Sequence, residues 1–317
     1  MTRPPDQARL AGPGRARGTA LYSGVTVKSP VTASPASWSP PGPPTADAAP
    51  LRVGGMAMGN GVLMRSKRYW ALARDDGTVL DGPVRSLLDR HRVLRLPIVR
   101  GAVTFGEMIV FALRLHGRRG ARPNGRLLAA FVLCGIAAAL LGDSVPGLDS
   151  GSLAAGVALE LATVLLGLLA LHWGMGAEVW RYHGAEHKAV NAYEAGADLT
   201  DATSVLGFSR VHDRCGTNLV VIVVALSLAC LPLSAGPLGT ALSPLYGLVA
   251  LALAFELFRL VTRRPHLPAC RFVLAGGKAL QRCLTTRDPR PEQQRIACLA
   301  LCRVVELEQA AHLRSAG

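Results

Sequence analysis

Four apolar stretches restrict this chain more than any other feature: about Leu127–Leu141, Ser152–Met175, Leu219–Ser234 with its flanks, and Leu238–Val261. A helix needs roughly 17–25 such residues to cross a bilayer, and the first stretch reaches that length only if it begins nearer Pro123. In hydrocarbon the backbone must satisfy its own hydrogen bonds, so runs of this kind fold as helices rather than open sheets. The expected class is therefore mainly α: a polytopic membrane protein with about four spans. Composition agrees, because charged residues make up 18% of the 317 residues, below the roughly 25% of soluble globular proteins.

Charge gives an orientation. Arg118, Arg119, Arg122 and Arg126 precede the first stretch, and Arg259, Arg263 and Arg264 follow the fourth. The connector after the first carries Asp143 and Asp149 without Lys or Arg, and the connector from Pro232 to Pro237 carries no charge. The positive-inside rule then places both termini, and the 176–217 loop, on the cytoplasmic side of an inner membrane. The net charge of +14 is read the same way. Its basic residues are not interleaved with aromatics, which argues against nucleic acid and leaves the lipid bilayer as the expected partner.

Four regions follow. Residues 1–50, with Pro40-Pro41-Gly42-Pro43-Pro44, have the composition of a disordered arm. Residues 51–120 hold a Gly-rich segment, Gly54 to Arg65, read as a tight turn rather than a dinucleotide loop, then a hairpin at Asp76-Gly77. An interfacial or re-entrant helix begins near Pro97, on which Arg100 and Glu107 share a face as a solvated pair. Residues 121–264 form the membrane domain, with Glu160 and Glu256 turned to the bundle interior and His172 near the interface. Residues 265–317 form cytoplasmic helices, about 268–284 and 291–311, the second started by Pro291. The seven Cys have irregular spacings and no C-x-x-C, so no disulfide framework is expected.

The chemistry concentrates between the second and third apolar stretches. Arg181-Tyr182-His183-Gly184-Ala185-Glu186-His187-Lys188 contains H-x-x-E-H. On a helix His183 and His187 share a face and can reach one ion, with Glu186 as general base. A second cluster, Arg210-Val211-His212-Asp213-Arg214-Cys215-Gly216-Thr217, closes the same loop. The third ligand is open between Glu194, His212 and Cys215, and zinc is the divalent metal that such a set suits. Arg214 is placed to hold an anionic substrate group, and Cys215 activated by His212 is a lesser, nucleophilic option.

These residues resemble the YqhQ-like family of bacterial multi-pass membrane proteins, through His183-Gly-Ala-Glu-His187-Lys, Asn191-Ala-Tyr-Glu194 and Arg214-Cys215-Gly216-Thr217. The likeness extends from Gly54-Gly55 to Met64-Arg65, through Pro97 to Gly101, to Leu280-Gln281-Arg282 and Thr285-Thr286-Arg287-Asp288-Pro289. It implies a metal-dependent enzyme of unestablished activity. Two positions depart from the family pattern: Asn60 stands where Glu is usual, and Asp213 where Lys is usual. The expected function is a zinc-type hydrolase at the cytoplasmic membrane surface, its substrate unknown. The alternative is a non-enzymatic scaffold, assembly factor or metal-binding subunit.

Overall fold

The computed structural model describes residues 51–97, 99–117, 152–230 and 236–316, with 126, 129–130, 132–137 and 232 between them. The arm 1–50 and about half of the first apolar stretch lie outside the described residues. The described chain is mostly helical, with one small antiparallel sheet.

The sheet is a meander, β1 (Gly54–Met58), β2 (Gly61–Arg65), β3 (Tyr69–Arg74) and β4 (Val79–Pro83), in that spatial order. The Asp76-Gly77 hairpin forms as expected: Gly77 has φ 77°, and the Thr78 N–H donates to the Asp76 carboxylate at 2.8 Å. The Gly-rich segment is a strand pair rather than one tight turn, and only Gly59-Asn60 turns. Both faces of the sheet are covered, so alternate residues enter different cores. Val62, Met64, Ala71 and Ala73 join one core, while Leu63, Trp70 and Leu72 join the other.

The helices are α1 (Leu87–Arg90), α2 (Val99–Gly117), α3 (Leu153–Glu194), α4 (Ala202–Val205), α5 (Thr217–Cys230), α6 (Gly236–Arg263), α7 (Pro268–Leu280) and α8 (Pro291–Ala316). Helix α2 meets the second sheet face, where Phe111 packs edge-on against Trp70 at 5.4 Å. The expected Arg100–Glu107 pair does not form. Arg100 reaches across to Glu256 of α6 in a two-bond ion pair, and Glu107 accepts from Ser86 and from the Leu87 N–H. The Glu256 side chain that holds the guanidinium is only 16% exposed, where a charge pair is less screened by water.

Two of the four expected spans fall in helices long and apolar enough to cross a membrane. These lie in α3, whose most apolar window has mean hydropathy 2.2, and in α6 at Leu245–Arg263, with 1.8. Helix α5 is apolar but shorter, at 14 residues. Helix α3 does not stop where the second apolar stretch ends. It runs on through the motif, interrupted at Gly176 (φ 78°, ψ 164°), so half of the expected 176–217 loop is helical.

The motif half of α3 packs on the sheet and on α8. Tyr182, Ala185, Ala189 and Ala192 meet Ala297, Ala300, Leu301 and Val304, and the alanines let the two backbones come close. Helix α8 starts as its sequence dictates. Pro291 occupies the first turn, and the Gln293 side chain accepts from the Arg290 N–H at 3.0 Å, half of a capping box. Ser66 and Arg68 of the β2–β3 turn both bond Glu308 of α8, fixing the sheet to the helix.

Candidate metal centre

Three segments converge on the H-x-x-E-H face: α3 itself, the irregular chain before α5, and the π-helical turn Gln281–Thr285 that ends α7. The chain just after the π-helical turn lies close against α3 because residue 184 is glycine. A Cβ there would collide with the Arg287 carbonyl oxygen. The Arg287 N–H in turn donates to the Trp180 carbonyl at 2.9 Å.

This docking determines the histidine tautomers. His183 Nδ1 lies 2.6 Å from the Thr285 carbonyl, and His187 Nδ1 lies 2.7 Å from the Arg210 carbonyl. A carbonyl only accepts, so each Nδ1 carries the hydrogen, and in the neutral ring Nε2 is the nitrogen with the lone pair. Cys215 Sγ sits 3.4 Å from His183 Nε2, and the ligand atoms of His183, His187 and Cys215 all lie within 4.8 Å of one another. A tetrahedral ion with about 2.0 Å bonds to nitrogen and about 2.3 Å to sulfur sets N and S about 3.5 Å apart. The His183–Cys215 separation matches that spacing, the other pairs lie within 4.8 Å, and carbonyl-bound Nδ1–H groups are the usual outer support of metal-binding histidines.

The other two candidate ligands are engaged elsewhere. Glu194 makes an ion pair with Arg214 and lies 3.3 Å from His212 Nε2. His212 Nδ1 accepts from the Arg214 N–H at 3.1 Å, so its hydrogen is on Nε2 and points to Glu194. Burial alone would raise the Glu194 pKa, but Arg214 and His212 outweigh it and hold the carboxylate below its ordinary range. Burial lowers His212, and Arg214 adds to that against the pull of Glu194. The guanidinium that was expected to meet an anionic substrate thus meets Glu194. His212 stays beside the triad, its ring 6.0 Å from that of His187.

Glu186 is 6% exposed and lies against the backbone of Gly55 in β1, where a larger residue would clash with its carboxyl. Burial pushes its pKa up to about 7, opposed by His183 and by a backbone hydrogen bond from Gly55. One carboxyl oxygen has no hydrogen-bond partner.

Several supports had left little trace in residue type. Gln281, fully buried, accepts from the His212 N–H and donates to the His212 carbonyl, acting as a strand partner for the segment that carries Cys215. Asn191 donates to the Ser209 and Val211 carbonyls, and Lys188 to the Leu206 carbonyl. Thr217 places its hydroxyl between Cys215 Sγ, at 3.2 Å, and Thr285 Oγ1, at 3.1 Å. Gln281 and Thr285 stood in the segments that carried the family likeness. The Thr285 and Arg210 carbonyls are backbone groups, which no residue pattern marks.

The arrangement thus brings two histidines of a kinked helix together with one cysteine of the chain before α5. Residues 159–307 match the family described as "Protein of unknown function (DUF1385)". The chain is 31% identical over 133 residues to "Uncharacterized protein YqhQ" of Bacillus subtilis (strain 168). That alignment spans 41% of this chain and 41% of the relative's length. No solved structure matches. Together the two likenesses support a YqhQ-like family for the stretch that carries the motif.

Proposed function

We propose that this chain is a metal-dependent membrane enzyme, a hydrolase at the cytoplasmic membrane surface, with His183, His187 and Cys215 as ligands of a zinc-type divalent ion. One observation carries the reading: two imidazoles, each held by a carbonyl on Nδ1, lie beside one cysteine, with the ligand atoms of all three within 4.8 Å of one another and His183 Nε2 3.4 Å from the sulfur. An ion held there would supply Lewis-acid polarisation of a carbonyl or phosphoryl oxygen. The chain's own residues do the rest. Thr285 and Arg210 orient the imidazoles, Gln281 steadies the Cys215 segment, and Glu186 is the acidic group of the motif suited to exchange a proton. Glu194 and His212 belong to a supporting pair with Arg214.

The test is metal analysis of purified wild type beside the His183→Ala, His187→Ala double variant, with circular dichroism to show that both are folded. About one equivalent in the wild type and none in the variant is expected; equal contents would remove the site. A panel of ester, phosphoester and peptide substrates then tests the enzyme reading, which requires turnover that is lost in Cys215→Ala and with chelator.

Burial favours a second reading, a non-enzymatic metal-binding scaffold, since His187 is 3% and Cys215 7% exposed. Cobalt substitution separates the two. A spectrum that shifts with added azide marks an open coordination position, and an unresponsive tetrahedral spectrum marks a closed structural site.

A further inference from the structure

The break in α3 at Gly176 separates an exposed apolar segment from a buried one, and a second set of side chains meets there. His172 Nδ1 lies 2.6 Å from the Leu284 carbonyl and so carries the hydrogen, which leaves the Nε2 lone pair toward Arg287 Nη2, 3.5 Å away. Trp180 stacks on His172 with ring centroids 5.8 Å and planes 6° apart, and its Nε1–H donates to the His172 carbonyl at 3.0 Å. The Arg287 backbone is wedged between Trp180 and Gly184, as described above, so its side chain starts from a well-defined place.

Its guanidinium is nevertheless exposed, and among the described residues it pairs with no carboxylate. Glu178, an acidic side chain of the same region, is taken by Arg181, Arg290 and Gln293. Next to His172, Trp173 is 50% exposed, and the Arg126 guanidinium lies 5.0 Å above its ring. Tryptophan prefers the headgroup level of a bilayer. A guanidinium presents a planar fork that matches two phosphate oxygens, and it is the preferred partner of that group.

We propose that Arg287, oriented by His172, together with Arg126 over Trp173, binds the phosphate of an anionic phospholipid headgroup where α3 leaves the bilayer. The proposal rests on the membrane reading of α3 and not on the metal. The chemistry recognised is a phosphate-ester anion. Continuity with the exposed apolar stripe of α3 favours the lipid over free phosphate as its source.

Trp173 and Trp180 are built-in probes. In mixed micelles, brominated phosphatidylglycerol should half-quench tryptophan emission at about five-fold lower mole fraction than brominated phosphatidylcholine, the preference expected of one arginine at an anionic surface. Arg287→Gln should abolish that preference and Arg287→Lys should keep part of it. Arg271→Gln, an exposed arginine on α7, should leave it intact. Millimolar inorganic phosphate should not relieve the quenching; relief would assign the site to free phosphate instead of lipid. An unchanged preference in Arg287→Gln, or equal loss in Arg271→Gln, overturns the proposal. No quenching by either lipid overturns the membrane reading with it. Metal content is measured on every variant, so that loss of the metal centre is told apart from loss of the headgroup site.

Discussion

The two halves of α3 differ in what surrounds their side chains. From Leu153 to Met175 only Gly174 is buried, and Leu161, Leu165, Leu169 and Trp173 recur every four residues as an exposed stripe, 46–54% accessible. From Val179 to Tyr193 almost every residue is buried, including Glu186, His187 and Lys188. The apolar half shows its side chains and the polar half hides them, the reverse of what water alone would select. An exposed apolar stripe of this length marks a surface that something apolar covers. The buried half teaches a second point. Charged residues are tolerated in a core when backbone carbonyls and paired side chains meet them, as Leu206 and Asp288 meet Lys188. The Gly176 break lets one helix serve both roles, because it frees the two halves to pack independently.

The contrast is sharpest in the cores. Leu301 is fully buried between α3 and the sheet, so Leu301→Ala should cost about 2–5 kcal/mol of stability in a denaturant melt. A loss below about 1 kcal/mol would mean that the α3–α8 interface is not a packed core. Next in size is Leu165→Arg, on the exposed stripe. It should cost about 2.5–3.5 kcal/mol of membrane insertion, read as protein shifted from the carbonate-resistant membrane fraction. Undiminished membrane retention together with normal folding would show that Leu165 faces water.

Glu308 tests the buried half by pH. Burial would raise its pKa, but Ser66 and Arg68 outweigh it and hold the carboxylate below its ordinary range. A lowered folded pKa stabilises the protein above the unfolded value, and that contribution disappears as pH falls through the folded one. Glu308→Gln should therefore lose about 1–3 kcal/mol near neutral pH, with the gap to wild type closing in acid. A gap that widens on acidification would contradict the assigned direction. The smallest effect is expected of Leu165→Ala, about 0.5 kcal/mol in the detergent-solubilised protein. If it matched Leu301→Ala, the stripe would be covered by protein and the two halves of α3 would not differ in solvent.

Much of the local structure was legible in the sequence. The Asp76-Gly77 hairpin, the helix opened by Pro291 and the shared face of His183 and His187 all follow from contacts within a few residues. Other features were not. Arg100 was matched with Glu107 because both lie on α2, whereas its partner is Glu256, 156 positions away. The Gly54 to Arg65 segment read as a turn because glycine is permissive. Its pairing as β1 and β2 depends on the helices that cover the sheet. Of the four apolar stretches, two became helices of spanning length, α5 is shorter, and about half of the first falls outside the described residues.

The candidate site divides in the same way. The sequence by itself determined the donor types, the i, i+4 placement of the two imidazoles, and the apolar segment beside them, since helix period and hydropathy act locally. It left Glu194, His212 and Cys215 equivalent as third partner. In the tertiary structure they have different neighbours. Arg214 occupies Glu194, His212 turns to that same carboxylate, and the Cys215 segment, clamped by Gln281, brings its sulfur to His183. The tautomers were also decided there, by the Thr285 and Arg210 carbonyls, 102 and 23 positions from their histidines. A backbone carbonyl carries no residue identity, so its direction is known only once the chain has packed.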